Sequence, residues 1–196
     1  GGLDIWLKVC ENLAPQIQSA TEPPKTLQKL VAQGHYGIKS GKGFLGIHGA
    51  TDTFGGHKPL HAYTQMIGAE FKTHGAQVEV DVINQDQECP ICKDLPANWE
   101  VFDEIYQFKN FDRSKVHGLL TLDKHPNDKT PGDYPIAWIK EYGQGRVFYT
   151  SLGHREDIWD ASWKDAKGER KNSPAVADAY QQHGLNYYPK LLCMQL

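Results

Sequence analysis

Hydrophobic positions near the start of the chain recur at helical spacing. Leu3, Trp6, Val9 with Cys10, and Leu13 form one apolar stripe over residues 3–13, which stops near Pro15. Thr21 can cap a second helix over residues 23–33. Pro23 and Pro24 suit its first turn, and Leu27, Leu30 and Val31 supply its apolar face before Gly34. The pattern then changes. Phe44-Leu45-Gly46-Ile47-His48, between a Gly-rich approach and Gly49, is too short for a helix and reads as an inner strand. Val78 to Ile83 alternates as a strand, and Val116 to Leu122, Tyr134 to Lys140 and Arg146 to Ser151 read as further strands, with Pro135 confined to the start of its run. Leu60 to Met66 and Pro174 to His183 read as short helices, and Asn84 to Asn98 and Asp123 to Asp133 as surface loops. Runs apolar on both faces are the mark of strands covered on both sides. The expected fold is therefore α/β: a mainly parallel sheet flanked by helices, with an N-terminal helical segment.

Composition narrows the partners. The 196 residues are 39% hydrophobic and 23% charged, with a net charge of −3, so no basic excess attracts nucleic acid. No run approaches the ~20 apolar residues of a membrane-spanning helix, and the basic-then-apolar pattern of a signal peptide is missing, so no membrane partner is expected and no compartment is assigned. Four cysteines in a chain of this length do not make a disulfide framework.

Four polar residues stand at or just after the ends of apolar runs: His48, Asp52, Glu104 and His154. In open α/β sheets ligands bind beyond the carboxyl ends of strands, and imidazole and carboxylate groups gathered there can pass a proton between them. His48 and His154 are the leading acid/base pair, Glu104 the group that orients an imidazole or takes a proton, and Asp52 a helix cap or hydroxyl ligand. Tyr106 and Trp138 can offer flat apolar surface to a sugar, and Arg155 can orient an anionic or carbonyl group. Each residue taken alone reads equally well as part of a core hydrogen-bond network. No cofactor is expected. Gly41-x-Gly43-x-x-Gly46 lacks the strand-turn-helix setting of a dinucleotide fingerprint, and a phosphate-binding loop fails at Tyr36 and Gly43. Cys89-Pro-Ile-Cys92 has no second pair, and Pro59 breaks the His57–His61 spacing, so neither is taken as a metal site. His48 and His154 with a carboxylate remain an alternative set for a divalent ion, although no metal is assigned.

Two resemblances follow from longer motifs. Gly2-Leu3-Asp4-Ile5-Trp6 together with the Gly-rich segment 34–44 resembles the C-terminal helical domain of 3-hydroxyacyl-CoA dehydrogenases, without that family's catalytic residues. Residues 40–52, then Asp103-Glu104-Ile105-Tyr106-Gln107-Phe108, Tyr134-Pro135-Ile136-Ala137-Trp138 and the segment from Gly145 to Glu156 resemble the trehalose-utilisation (ThuA-like) family, over about residues 40–183. That resemblance implies a flavodoxin-like, class I glutamine amidotransferase-like sheet and action on, or binding of, a sugar or keto-sugar. The partner would be a small saccharide, with self-association left open. Where amidotransferases carry a nucleophilic Cys, this chain has Gly49, Ala50 and Thr51, which argues against thiolate chemistry. The implied organisation is a helical segment over 1–39 and a ThuA-like domain over 40–196 that lacks the family's first strands, the two joined as a chimera. The alternatives are a catalytically silent interaction module or fusion product, and a dehydrogenase fragment.

Overall fold

The computed structural model describes residues 43–56 and 58–180, together with positions 28, 29, 32 and 33. The helices expected over 3–13 and 23–33 lie outside the described residues, apart from those four positions. The chain divides into two compact units. One is Gly1–Phe44 with Glu141–Val147, and the other is Leu45–Lys140 with Phe148–Leu196.

Eight strands form in chain order: β1 (Phe44–Ile47), β2 (Glu70–His74), β3 (Val78–Asn84), β4 (Asn98–Asp103), β5 (Tyr106–Lys109), β6 (His117–Lys124), β7 (Pro131–Tyr142) and β8 (Gly145–Thr150). Six of them make one sheet in the order β1-β8-β7-β6-β3-β4, and β2 and β5 make a separate antiparallel ribbon. The pairs β3–β4, β3–β6 and β6–β7 are all antiparallel. Besides the helical positions 28, 29 and 32, the described α-helices are Ala62–Ile67, Glu156–Trp159 and residues 174–180, the last opened by Pro174 behind Ser173, whose hydroxyl accepts from the Val176 amide.

The expected mainly parallel sheet flanked by helices, flavodoxin-like or amidotransferase-like, is therefore incorrect: the sheet is mostly antiparallel and the helices are few and short. Nor is β1 an inner strand, since among the described residues it ends the strand order. Connection length gives the physical reason. Parallel neighbours need a crossover of a dozen or more residues, whereas β6 and β7 are joined by 125–130 and β7 and β8 by 143–144. The double-sided burial that suggested a parallel sheet is present but has another source. Leu119, Leu120, Thr121 and Leu122 are buried in succession along β6. Phe108 of the β2–β5 ribbon and Phe111 just beyond it lie against Trp138, each with ring centroids 5.1 Å apart, while loop 85–97 brings Cys89, Ile91, Cys92 and Leu95, and the helix Glu156–Trp159 brings Ile158, into the core with Val80, Val82 and Leu120. Loop 85–97 is held inward by Asn84, whose side-chain amide donates to the carbonyls of Cys92 (2.9 Å) and Leu95 (3.3 Å). Ribbon and loop thus do the covering that crossover helices do in parallel sheets.

Among the described residues no helix is long and apolar enough to cross a membrane.

Candidate functional site

The site begins where β1 gives way to the 3₁₀ turn His48–Asp52. His48 has φ 41°, a left-handed conformation uncommon outside glycine. A buried hydroxyl holds it: Tyr149 donates to the His48 carbonyl at 2.8 Å and shares a 2.9 Å hydrogen bond with Thr51 Oγ1. Burial pushes the Tyr149 phenol far up, so it remains a neutral donor. The His48 ring is oriented by its own bond, Nδ1 to the Ser151 carbonyl at 2.7 Å. A carbonyl only accepts, so Nδ1 carries the hydrogen and, in the neutral ring, Nε2 presents a lone pair.

A second buried group brings the other components to that lone pair. Asp103, the last residue of β4, is fully buried and accepts from the backbone N–H groups of Gly153 (2.7 Å), His154 (3.3 Å) and Arg155 (3.1 Å). Burial pushes its carboxyl up, against the pull of the Gly153, Glu104 and His154 amides and of His48. The loop after β8 is thereby tied to the end of β4, which places His154 beside Glu104. Gly153 makes the approach possible. Its φ is 117°, and a Cβ there would meet the Trp159 ring at 2.7 Å.

Three side-chain atoms converge as a result. His48 Nε2 lies 3.2 Å from His154 Nδ1 and 3.4 Å from Glu104 Oε1, and His154 Nδ1 lies 3.6 Å from Glu104 Oε1. The other oxygen of Glu104 is 3.1 Å from His74 Nδ1, which is also 2.9 Å from the Gly75 carbonyl and so carries its hydrogen. The side chains of His48 and Glu104 are 13% exposed and that of His154 is 40% exposed, so the cluster opens on one side. The Tyr106 ring lies 4.1 Å from that of His48, and its backbone N–H donates to Ser151 Oγ at 3.0 Å. Burial, with the charges of Glu104 and Asp52 behind it, raises the Tyr106 phenol. Tyr106 also lines a groove of about 380 Å³ together with Lys72, Gln107, Phe108, Asp133 and Tyr134, a volume in the range of small-ligand sites.

The remaining residues singled out from sequence are placed elsewhere. Asp52 ends the 3₁₀ turn and is exposed. Trp138 is fully buried, its indole donating to the Ile67 carbonyl at 2.9 Å. Arg155 spends its guanidinium on Asp157 (2.9 and 3.0 Å) and Gln77 (3.0 Å). His61 caps the helix Ala62–Ile67 by accepting from the Tyr63 amide at 3.1 Å, and His57 lies outside the described residues. Cys89 and Cys92 are buried, and burial pushes the Cys92 thiol far above its ordinary value. The sequence reading overlooked Asp103, His74, Ser151 and Tyr149. For Asp103 a signal existed: two adjacent carboxylates at the end of an apolar run must point to opposite sides, one inward and one outward. For His74 and Ser151 there was none, because their roles depend on contacts across the fold.

The trehalose-utilisation (ThuA) family matches residues 18–166. Among solved structures, a protein described as ThuA-like from Bacteroides uniformis is 20% identical, with a TM-score of 0.57 over 88% of this chain and 66% of its own. Another described as ThuA-like, from Parabacteroides merdae, is 17% identical, with a TM-score of 0.51 over 72% of this chain and 60% of its own. A cytoplasmic protein from Salmonella typhimurium LT2 is 14% identical, with a TM-score of 0.52 over the whole of this chain and 69% of its own. At such identities the likeness is one of fold. The chain spans about two thirds or less of the two ThuA-like structures. No curated protein matches it.

Proposed function

Because the chain belongs to the ThuA family, we propose that it acts on a sugar or keto-sugar by moving a proton at the cluster of His48, Glu104 and His154. The observation that carries this reading is the approach of His48 Nε2, His154 Nδ1 and Glu104 Oε1 to within 3.6 Å of one another on a half-open surface. His48 Nε2, kept bare by the Ser151 carbonyl, is the proton acceptor. His154, the most exposed of the three, exchanges protons with solvent or with the outgoing hydroxyl, and Glu104 stabilises whichever imidazole is charged. Tyr106 joins this chemistry to the groove, where rings such as those of Phe108 and Tyr134 can face the apolar side of a sugar while Lys72, Gln107 and Asp133 meet its hydroxyls.

The test uses keto-sugars in deuterated water. Wild-type protein should replace hydrogen by deuterium at the carbon next to the carbonyl, read by proton NMR. Glu104→Gln and His154→Ala should slow that exchange ~10²- to 10⁴-fold, the contribution typical of a positioned acid or base. Absence of exchange, turnover and thermal stabilisation across a panel of sugars and keto-sugars would overturn the proposal in favour of a catalytically silent module.

A further inference from the structure

The three converging atoms have more lone pairs than hydrogens. His48 Nε2 is bare because its other nitrogen serves the Ser151 carbonyl, and Glu104 Oε1 is an acceptor while its partner oxygen is occupied by His74. His154 Nδ1 can offer one hydrogen to one of them, which leaves another acceptor facing a lone pair at about hydrogen-bond distance. Such a grouping needs a cation or additional protons to be stable.

We propose that His48 Nε2, His154 Nδ1 and Glu104 Oε1 bind one divalent first-row metal ion of the zinc type. An ion standing off the plane of three atoms separated by 3.2, 3.4 and 3.6 Å, in tetrahedral relation to them, lies about 2.0–2.1 Å from each, the distance of a zinc–nitrogen or zinc–carboxylate bond. Tetrahedral coordination at that bond length spaces its ligands by about 3.3 Å. Octahedral coordination at about 2.1 Å brings them to about 3 Å, closer than any of the three pairs, so tetrahedral geometry fits better.

The surroundings match those of metal ligands in general. A ligating imidazole donates its second N–H to a carbonyl or carboxylate, as His48 does to Ser151, and a ligating carboxylate is itself hydrogen-bonded, as Glu104 is to His74. Two imidazoles and one carboxylate leave a fourth position, and the 40% exposure of His154 puts it on the solvent side. A water, or the hydroxyl or carbonyl oxygen of a sugar, would take that place, and the proton chemistry proposed above would then pass to the bound oxygen. Only this last step rests on the proposed function; metal binding does not.

The test is titration of tag-free, chelator-treated full-length protein with Co²⁺, followed by displacement with Zn²⁺. One equivalent of Co²⁺ should produce the visible bands of a tetrahedral site without thiolate-to-cobalt absorption in the near ultraviolet, and Zn²⁺ should abolish them. His154→Ala, which removes an exposed side chain, and Glu104→Gln, which keeps the volume, should each weaken Zn²⁺ binding at least 100-fold by calorimetry while circular dichroism stays unchanged. No tetrahedral spectrum, a thiolate spectrum, or a spectrum that both variants leave intact would overturn the assignment. Metal binding without sugar turnover would sustain this site and remove the saccharide reading, whereas sugar turnover in metal-free protein with no cobalt spectrum would do the reverse.

Discussion

Asp157→Asn tests how the structure holds the loop that carries His154. Asp157 is fully buried and accepts five hydrogen bonds. Oδ1 takes Arg155 Nε (2.9 Å) and Asn172 Nδ2 (2.9 Å), and Oδ2 takes Arg155 Nη2 (3.0 Å) and the backbone N–H groups of Lys171 (2.8 Å) and Asn172 (3.1 Å). Asparagine has the same shape but one oxygen. Whichever way it turns, its amide faces at least two donors, and the guanidinium of Arg155, whose side chain is 17% exposed, loses its counter-charge. Two lost bonds to charged groups at about 1.5–3 kcal/mol each total about 3–6 kcal/mol, in line with the 3–5 kcal/mol found on unpairing buried ions. Partial exposure of Arg155 favours the lower end, about 3 kcal/mol. Urea unfolding followed by tryptophan fluorescence should show this as a midpoint lowered by about 1–2 M, given a slope of about 2 kcal/mol per M. The effect should also depend on pH. Burial pushes the Asp157 carboxyl up, but the bonds from Arg155, Asn172 and the Lys171 and Asn172 amides more than reverse this and hold it well below the ordinary carboxylate range. A depressed folded value gives stabilisation that is present above the unfolded pKa of about 3.9 and lost as pH falls through the folded one. The gap between wild type and variant should therefore narrow below about pH 4. A loss under about 1 kcal/mol at neutral pH, or a gap that widens in acid, would refute the reasoning.

Asp103→Asn should loosen the amides of residues 153–155 and lower the deuterium exchange proposed for the site by about 10- to 100-fold, with most of the secondary structure kept by circular dichroism; unchanged exchange would remove Asp103 as a positioning residue. Trp138→Phe leaves the Ile67 carbonyl without its indole donor and should cost about 1–3 kcal/mol in urea unfolding, whereas weakened sugar binding at full stability would place the residue on the sugar surface instead. Cys92, buried and with its thiol pushed up, should resist iodoacetamide in native protein at pH 8 and react once urea unfolds it, as read by peptide mass spectrometry.

Much of this protein is decided locally. The alternation of Val78 to Ile83 and the unbroken apolar runs within β6 and β8 mark strands because side-chain period and β-branching are properties of neighbouring residues. Family membership is equally local, carried by motifs such as Gly46-Ile47-His48-Gly49 and Leu152-Gly153-His154-Arg155, which also draw attention to His48 and His154 as polar residues at the ends of apolar runs. Strand direction is different, because an apolar run looks the same whether a helix or an aromatic ribbon covers it. The short links 125–130 and 143–144 excluded a parallel arrangement of β6, β7 and β8, yet their meaning depended on strand ends that periodicity places only to within a few residues. The site shows the same division. Which residues can ligate or move protons follows from their chemistry, whereas the 3.2–3.6 Å spacing of their atoms follows from contacts between residues about 50 to 106 apart in sequence: Ser151 on His48, Asp103 on Gly153, His154 on His48. Such contacts form only when the chain buries Tyr149 and Asp103 and must satisfy their polar atoms, a demand that exists in the packed core and nowhere along the extended chain.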